Sequence, residues 1–156
     1  MIKMRNTKDF SRDLYSKKCV LLKKNKNMFT LEQLKESHSK VKSGADFPAY
    51  FKEIKELGVT HYEAYVSDGR IDYHGADHYV VKAPAKYTPL TIADVVAIDH
   101  FKRELLAHQQ GKTDFLTFIT MCAATGIEKW EICMDKKTCA YFDKLGNEVL
   151  VERIPF

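Results

Sequence analysis

The strongest constraint in this chain is that it reads as one unit written twice. A shift of 68 residues lays 45–73 over 113–141. Asp46 then meets Asp114, Phe47 meets Phe115, Gly58 meets Gly126, Glu63 meets Glu131 and Tyr73 meets Tyr141. Tyr50 with Phe118, Phe51 with Ile119, Val59 with Ile127 and Tyr62 with Trp130 add similar pairs. A shift of 67 extends the match backward, pairing Leu31 with Ile98, Leu34 with Phe101, His38 with Leu105 and Gly44 with Gly111. Five identities in 29 positions are few, but they coincide with helix caps, helix stops and core stripes. Self-similarity of this kind marks a duplicated supersecondary unit.

The local signals inside each unit agree. Thr30 with Gln33 three residues later is a capping box, and Leu31, Leu34, His38 and Val41 follow at helical spacing. Asp46 caps a second helix with Phe47, Tyr50, Phe51, Ile54 and Leu57 inward, and Gly58 stops it. Val59–Val66 and Ile71–His74 alternate as strands around Asp68-Gly69, a two-residue hairpin signal. Tyr79–Lys82 is a candidate third strand. Pro84 and Pro89 punctuate a linker. A helix falls between Ile92 and Gln110, and Thr113 or Asp114 caps another. Ile127–Met134, Thr138–Phe142 and Val149–Ile154 are strands. The expectation is a single α+β domain over 28–156, with four main helices and five or six mostly antiparallel strands. They form two pseudo-symmetric ααβββ halves, about 28–82 and 92–156, either as one continuous sheet or as two facing sheets.

Both hairpins should share one geometry. A two-residue loop at Asp68-Gly69 pairs Val66 with Ile71, Ala64 with Tyr73 and Glu63 with His74. The matching loop at Lys136-Lys137 pairs Met134 with Cys139 and Ile132 with Tyr141. Alternation then separates two faces. Tyr62, Ala64, Val66, Ile71, Tyr73, Trp130, Ile132, Met134, Cys139 and Tyr141 form the core face. The other face carries His61, Glu63, Tyr65, Asp72 and His74, then Lys129, Glu131, Cys133, Ala140 and Phe142.

That polar face holds the candidate chemistry. A carboxylate beside an imidazole fixes the ring's tautomer and raises its basicity. Glu63, His74, Asp72 and His61 are therefore the candidate acid, base or ligand groups. Imidazoles also bind divalent metals, which makes His61, His74 and His78 the candidate metal ligands. The competing reading is a solvated sheet face. His38 and His108 fall at inward helix positions and read as partly buried structural histidines. Cys122 reads as a small core hydrophobe, and Cys133 has no evident base. Phosphate loops, zinc-finger spacings and nucleophile elbows are missing from the sequence, and nothing in it implies a cofactor.

Charge separates the ends of the chain. Residues 1–27 carry nine Lys or Arg against two Asp, a net +7, while the rest is −3. A basic arm can bind nucleic acid or an anionic surface. Residues 1–27 are expected to be a loosely ordered extension, with Met28 as a natural start. No apolar run approaches the about 20 residues of a spanning helix, so no membrane role is expected. Four cysteines without a C-x-x-C pair fit reduced thiols in a cytoplasmic protein.

The stretch from Met28 to Arg70, the segment HQQGKTDFLTFITMCAATGIEKW and the ending TCAYFDKLGNEVLVERIP resemble the YbcV-like family of unknown function. These are small bacterial and prophage-encoded proteins, some of which carry the label phage envelope protein. The resemblance covers Met28 to Pro155 and implies no catalytic or binding residues. It leaves three functions to weigh. The first is a binding or regulatory protein whose protein or small-molecule partner sits in a groove between the halves or on the polar face. The second is a small enzyme or metal-binding protein using that face, and the third is nucleic-acid association through 1–27. The oligomeric state is not legible.

Overall fold

The computed structural model describes residues 28–156. The basic extension at 1–27 and Cys19 lie outside the described residues. The order is α1 (Leu31–Ser39), α2 (Phe47–Leu57), β1 (His61–Tyr65), β2 (Ile71–His74), β3 (Val80–Ala83), α3 (Ile98–Gln109), α4 (Phe115–Ala124), β4 (Lys129–Cys133), β5 (Thr138–Phe142) and β6 (Glu148–Arg153). The fold is α+β, with four helices and one six-stranded antiparallel sheet ordered β3-β2-β1-β4-β5-β6. The sheet is continuous because β1 pairs with β4 at its centre. Among the described residues no helix is long and apolar enough to cross a membrane.

Helix ends form where side chains or glycines can satisfy them. The Thr30 hydroxyl accepts from Gln33 N–H at 3.2 Å, and the Gln33 side chain accepts from Thr30 N–H at 2.8 Å. This closes the expected capping box. Asp114 caps α4 through Thr117 N–H at 2.8 Å. Asp46 departs from expectation: its carboxylate turns back to the amides of Lys42 and Ser43 and makes no side-chain cap on α2. The helix expected between Ile92 and Gln110 lies within those bounds, and the 92–97 stretch before it runs against the end of α4, held by Ala93 N–H to Ala123 C=O and Ala97 N–H to Thr125 C=O. The α3 helix begins only at Ile98.

Both hairpins depart from the predicted register by the same two residues. Ala64 pairs with Ile71, Tyr62 with Tyr73, Glu63 with Asp72 and His61 with His74. In the second hairpin Ile132 pairs with Cys139 and Trp130 with Tyr141. The predicted faces survive, because a shift of two preserves alternation. The loops are longer than Asp68-Gly69 suggested, since Tyr65 N–H already bonds Arg70 C=O. Gly69 and Lys137 both take left-handed backbone, at φ 78° and 51°. The turn accounts for the shift: Gly69 N–H donates to Tyr65 C=O at 3.0 Å, so four residues, 66–69, lie between the closing pair Tyr65 and Arg70. Val66 N–H donates to Glu128 C=O and Met134 N–H donates to Thr60 C=O, each at 2.8–2.9 Å. Both side chains are fully buried.

Other bonds recur at the same spacing of 68. Val59 N–H to Ile54 C=O is matched by Ile127 N–H to Cys122 C=O. Thr60 N–H to His74 C=O is matched by Glu128 N–H to Phe142 C=O. On the central seam Glu63 faces Glu131 directly.

The core lies between the sheet and the helices. Leu34, Phe51, Ile54, Phe101, Phe118, Ile119 and Cys122 from the helices meet Tyr62, Ala64, Ile71, Tyr73, Ile132, Cys139 and Tyr141 from the strands. Their alternates on the opposite face of the sheet are half-exposed.

Candidate functional site

The outer sheet face carries most of the residues singled out in the sequence, but with different neighbours. Glu63 and His74 are diagonal rather than paired, because the register places Glu63 opposite Asp72 and Glu131. Three carboxylates in a row are mutually unfavourable, and nearby donors offset part of the cost. Tyr65 donates to Glu63 at 2.8 Å and the Lys129 ammonium sits 3.4 Å away. Burial pushes the Glu63 carboxyl up, but Tyr65 and Lys129 outweigh it and hold it below the usual range. Arg70 lies over the Tyr65 ring at 3.9 Å.

His61 and His74 are brought together. Their rings stack at 4.2 Å and 5°, with Cys133 next in the row. The Thr60 hydroxyl donates to His74 C=O at 3.1 Å, so it accepts from His61 Nδ1. His74 Nε2 is buried without a hydrogen-bond partner. His78 stands apart, exposed in a 3-10 turn at φ 62°. Among the described residues no three His, Cys, Asp or Glu side chains are placed to hold a metal ion.

The opposite face holds the larger feature. The α1–α2 pair and the α3–α4 pair each pack internally. Between them, above the β1–β4 seam, opens a groove of about 640 Å3. A pocket of that size is typical for small organic ligands. Tyr62, Trp130, Ile132, Cys139 and Tyr141 make its floor, and Phe47, Tyr50, Leu105, Phe115 and Phe118 make its walls. A smaller side pocket of about 80 Å3 continues from it towards Lys86 and Tyr87.

The polar groups in the groove are few. The Tyr50 hydroxyl meets the Tyr73 hydroxyl at 2.9 Å beneath the surface. His38 meets the edge of Tyr50 at 5.6 Å. His108 stacks on Phe118 at 4.1 Å and 9°, and its Nδ1 reaches Thr113 O and Oγ1 at 3.2 and 2.9 Å. A carbonyl only accepts, so Nδ1 carries the proton and Nε2 is the acceptor of the neutral ring. At the β6 end, Gln109 donates to Glu152 at 2.9 Å and the Tyr141 hydroxyl donates at 3.4 Å. Burial raises the hydroxyls of Tyr50, Tyr62 and Tyr141 well above their ordinary value. It also pushes the Cys139 thiol up to about 12.

The family model of DUF1398, a protein of unknown function, matches residues 35–153. The chain belongs to the DUF1398 family. No curated protein matches it. The matched span holds both hairpins and every groove residue named so far, from His38 to Glu152.

In this DUF1398 chain the groove was only partly visible from sequence. Trp130, Tyr62 and Tyr141 stood out as core-face residues, and they form the floor. His38 was expected inward, yet Leu34 and Ser37 are the buried residues of α1 and His38 lines the groove instead. Glu152 gave no signal, since a lone carboxylate on an edge strand resembles any solvated residue.

Both groove histidines are held below their ordinary value. Burial is the main cause, and the nearby Lys86 charge adds to it at His38. The folded state therefore takes up these protons later than the unfolded chain does. Stability is full above the unfolded value of about 6.5 and is lost as pH falls below it. Thermal melts from about pH 7 to about pH 5 should show a falling Tm. Placing Gln at both positions, His38→Gln with His108→Gln, should flatten that slope; an unchanged slope would assign it to other groups.

Proposed function

We propose that this protein binds a small organic molecule with a flat apolar body in the groove between its two helix pairs. One observation carries the reading: a groove of about 640 Å3, floored by Tyr62, Trp130 and Tyr141, with a few polar groups at its ends. Aromatic walls supply contact area at low entropic cost, and sparse polar groups orient a ligand. Binding is favoured over catalysis because the groove offers no ready nucleophile. Its thiol and tyrosine hydroxyls are held protonated by burial.

On this reading the chain is a cytoplasmic binding or regulatory protein built as a single domain over 28–156. The hydrogen bonds that recur after 68 residues support two pseudo-symmetric ααβββ halves, with the groove over their junction. The YbcV-like resemblance and its prophage connection belong to the same reading.

Trp130 is the single tryptophan and lies in the groove, so it reports occupancy directly. Titration with flat aromatic probes should quench its emission saturably. A blocking substitution on the groove wall, Gly44→Trp, where an added side chain meets nothing within 4 Å, read through probe emission, should abolish binding without lowering Tm by more than a few degrees. Probes that bind the blocked protein as well as the parent would overturn the groove as the site.

A further inference from the structure

The geometry points to a specific class of ligand for this groove: a flat aromatic molecule carrying a positive charge, with that charge placed against Glu152. The inference rests on the groove being a ligand site. Three observations converge on it.

First, Glu152 is a carboxylate on the helix-facing side of the sheet. It pairs with Cys139 in the ladder and shares the inner row with Ile132 and Tyr62. An inner-face position next to a core thiol normally takes an apolar side chain. Second, its partners are neutral. Gln109 and Tyr141 hold it by hydrogen bonds, and among the described residues it forms no ion pair. A carboxylate fixed by neutral donors at the end of an apolar groove keeps its attraction for a cation. Third, the remaining surface is aromatic. Tyr62, Trp130, Tyr141 and Phe118 present π faces or edges, and a cation against such faces gains from the ring quadrupoles.

The other charges near the groove do not cancel this preference. Arg153 follows Glu152 and also lines the groove, but it is exposed to solvent and forms no ion pair with Glu152 among the described residues. Lys86 lines the small side pocket rather than the main groove. His38 and His108 are held below the ordinary imidazole value, chiefly by burial. The main groove therefore presents a half-buried carboxylate, a solvent-exposed guanidinium, two imidazoles and aromatic walls; the carboxylate is the less screened of the two charges, which favours a cationic ligand over an anionic one.

The test uses three probes with one tricyclic body and different charge: N-methylacridinium, acridine in mildly alkaline buffer, and 9-anthracenecarboxylate. Each is titrated into the full chain and followed by Trp130 quenching, against the parent protein and Glu152→Gln. The cation should bind at least about tenfold more tightly than the neutral probe, and the anion most weakly. Glu152→Gln, which keeps the shape and the hydrogen-bonding capacity, should remove the preference while leaving acridine affinity within about twofold. Equal affinity for all three, or a cation preference that survives Glu152→Gln, would overturn the charge assignment and leave the groove as a site for flat apolar molecules. Failure of all three probes to quench Trp130 would overturn the groove reading itself.

Discussion

Phe101→Ala is expected to destabilise the protein by about 3–5 kcal/mol, the range for truncating a buried phenylalanine. Phe101 is wholly buried on α3 and meets Tyr141 edge-on at 5.0 Å and 68°. It anchors the second helix pair to the sheet. The vacated space is bounded by the sheet on one side and the paired helix α4 on the other, so it cannot easily collapse. Leu34 is the corresponding anchor of the first helix pair, only 1% exposed. Leu34→Ala should cost about 2–5 kcal/mol. Urea denaturation should show a lower midpoint with an unchanged slope. A cost below about 1 kcal/mol at Phe101 would mean that α3 is not fixed to the sheet as described.

The second large effect concerns backbone. Gly126 ends α4 at φ 88°, and a Cβ there would sit 2.9 Å from Val95 O and 3.1 Å from Val96 Cα. Those atoms belong to the 92–97 segment, which is bonded to α4 on both sides of the contact. Neither partner can retreat without breaking Ala93–Ala123 or Ala97–Thr125. Gly126→Ala should therefore cost about 2–5 kcal/mol, with the left-handed backbone contributing about 1–2 and the crowding about 1–3. Gly111 separates the two terms. It has φ 75° with nothing within 4 Å, so Gly111→Ala should lose only the backbone part. Equal losses at the two sites would show that the 92–97 segment does not press on Gly126.

These positions show what the sequence could and could not disclose. Gly58 and Gly126 were legible as helix stops because their signal is local. The two sheet faces were legible because alternation survives a shift of two. The register itself was not. Asp68-Gly69 reads as a complete two-residue loop, but Gly69 takes the last place of a four-residue loop closed by Tyr65 and Arg70, and Cys133 and Thr138 close the second hairpin in the same way. An Asp-Gly pair fits either loop length, because both need a left-handed residue at Gly69. The longer loop also moves Glu63 from His74 to Asp72.

The groove was half-legible for another reason. Its aromatic floor follows from strand alternation, and Tyr62, Trp130 and Tyr141 belong to the predicted core face. Its walls come from four helices and its end from β6. Only the gap between the helix pairs turns core-face residues into a lining. Glu152 acquires meaning only when Gln109, from 43 residues earlier, closes on it.

The most direct test of the central claim is two-dimensional NMR of the full chain titrated with N-methylacridinium, following backbone amides and the Trp130 indole. The account predicts saturable shifts at Tyr50, Tyr62, His108, Trp130, Tyr141 and Glu152, with His61, His74 and Glu131 unmoved. Shifts confined to the outer row of His61, His74 and Cys133 would contradict it and place the binding surface on the opposite face of the sheet.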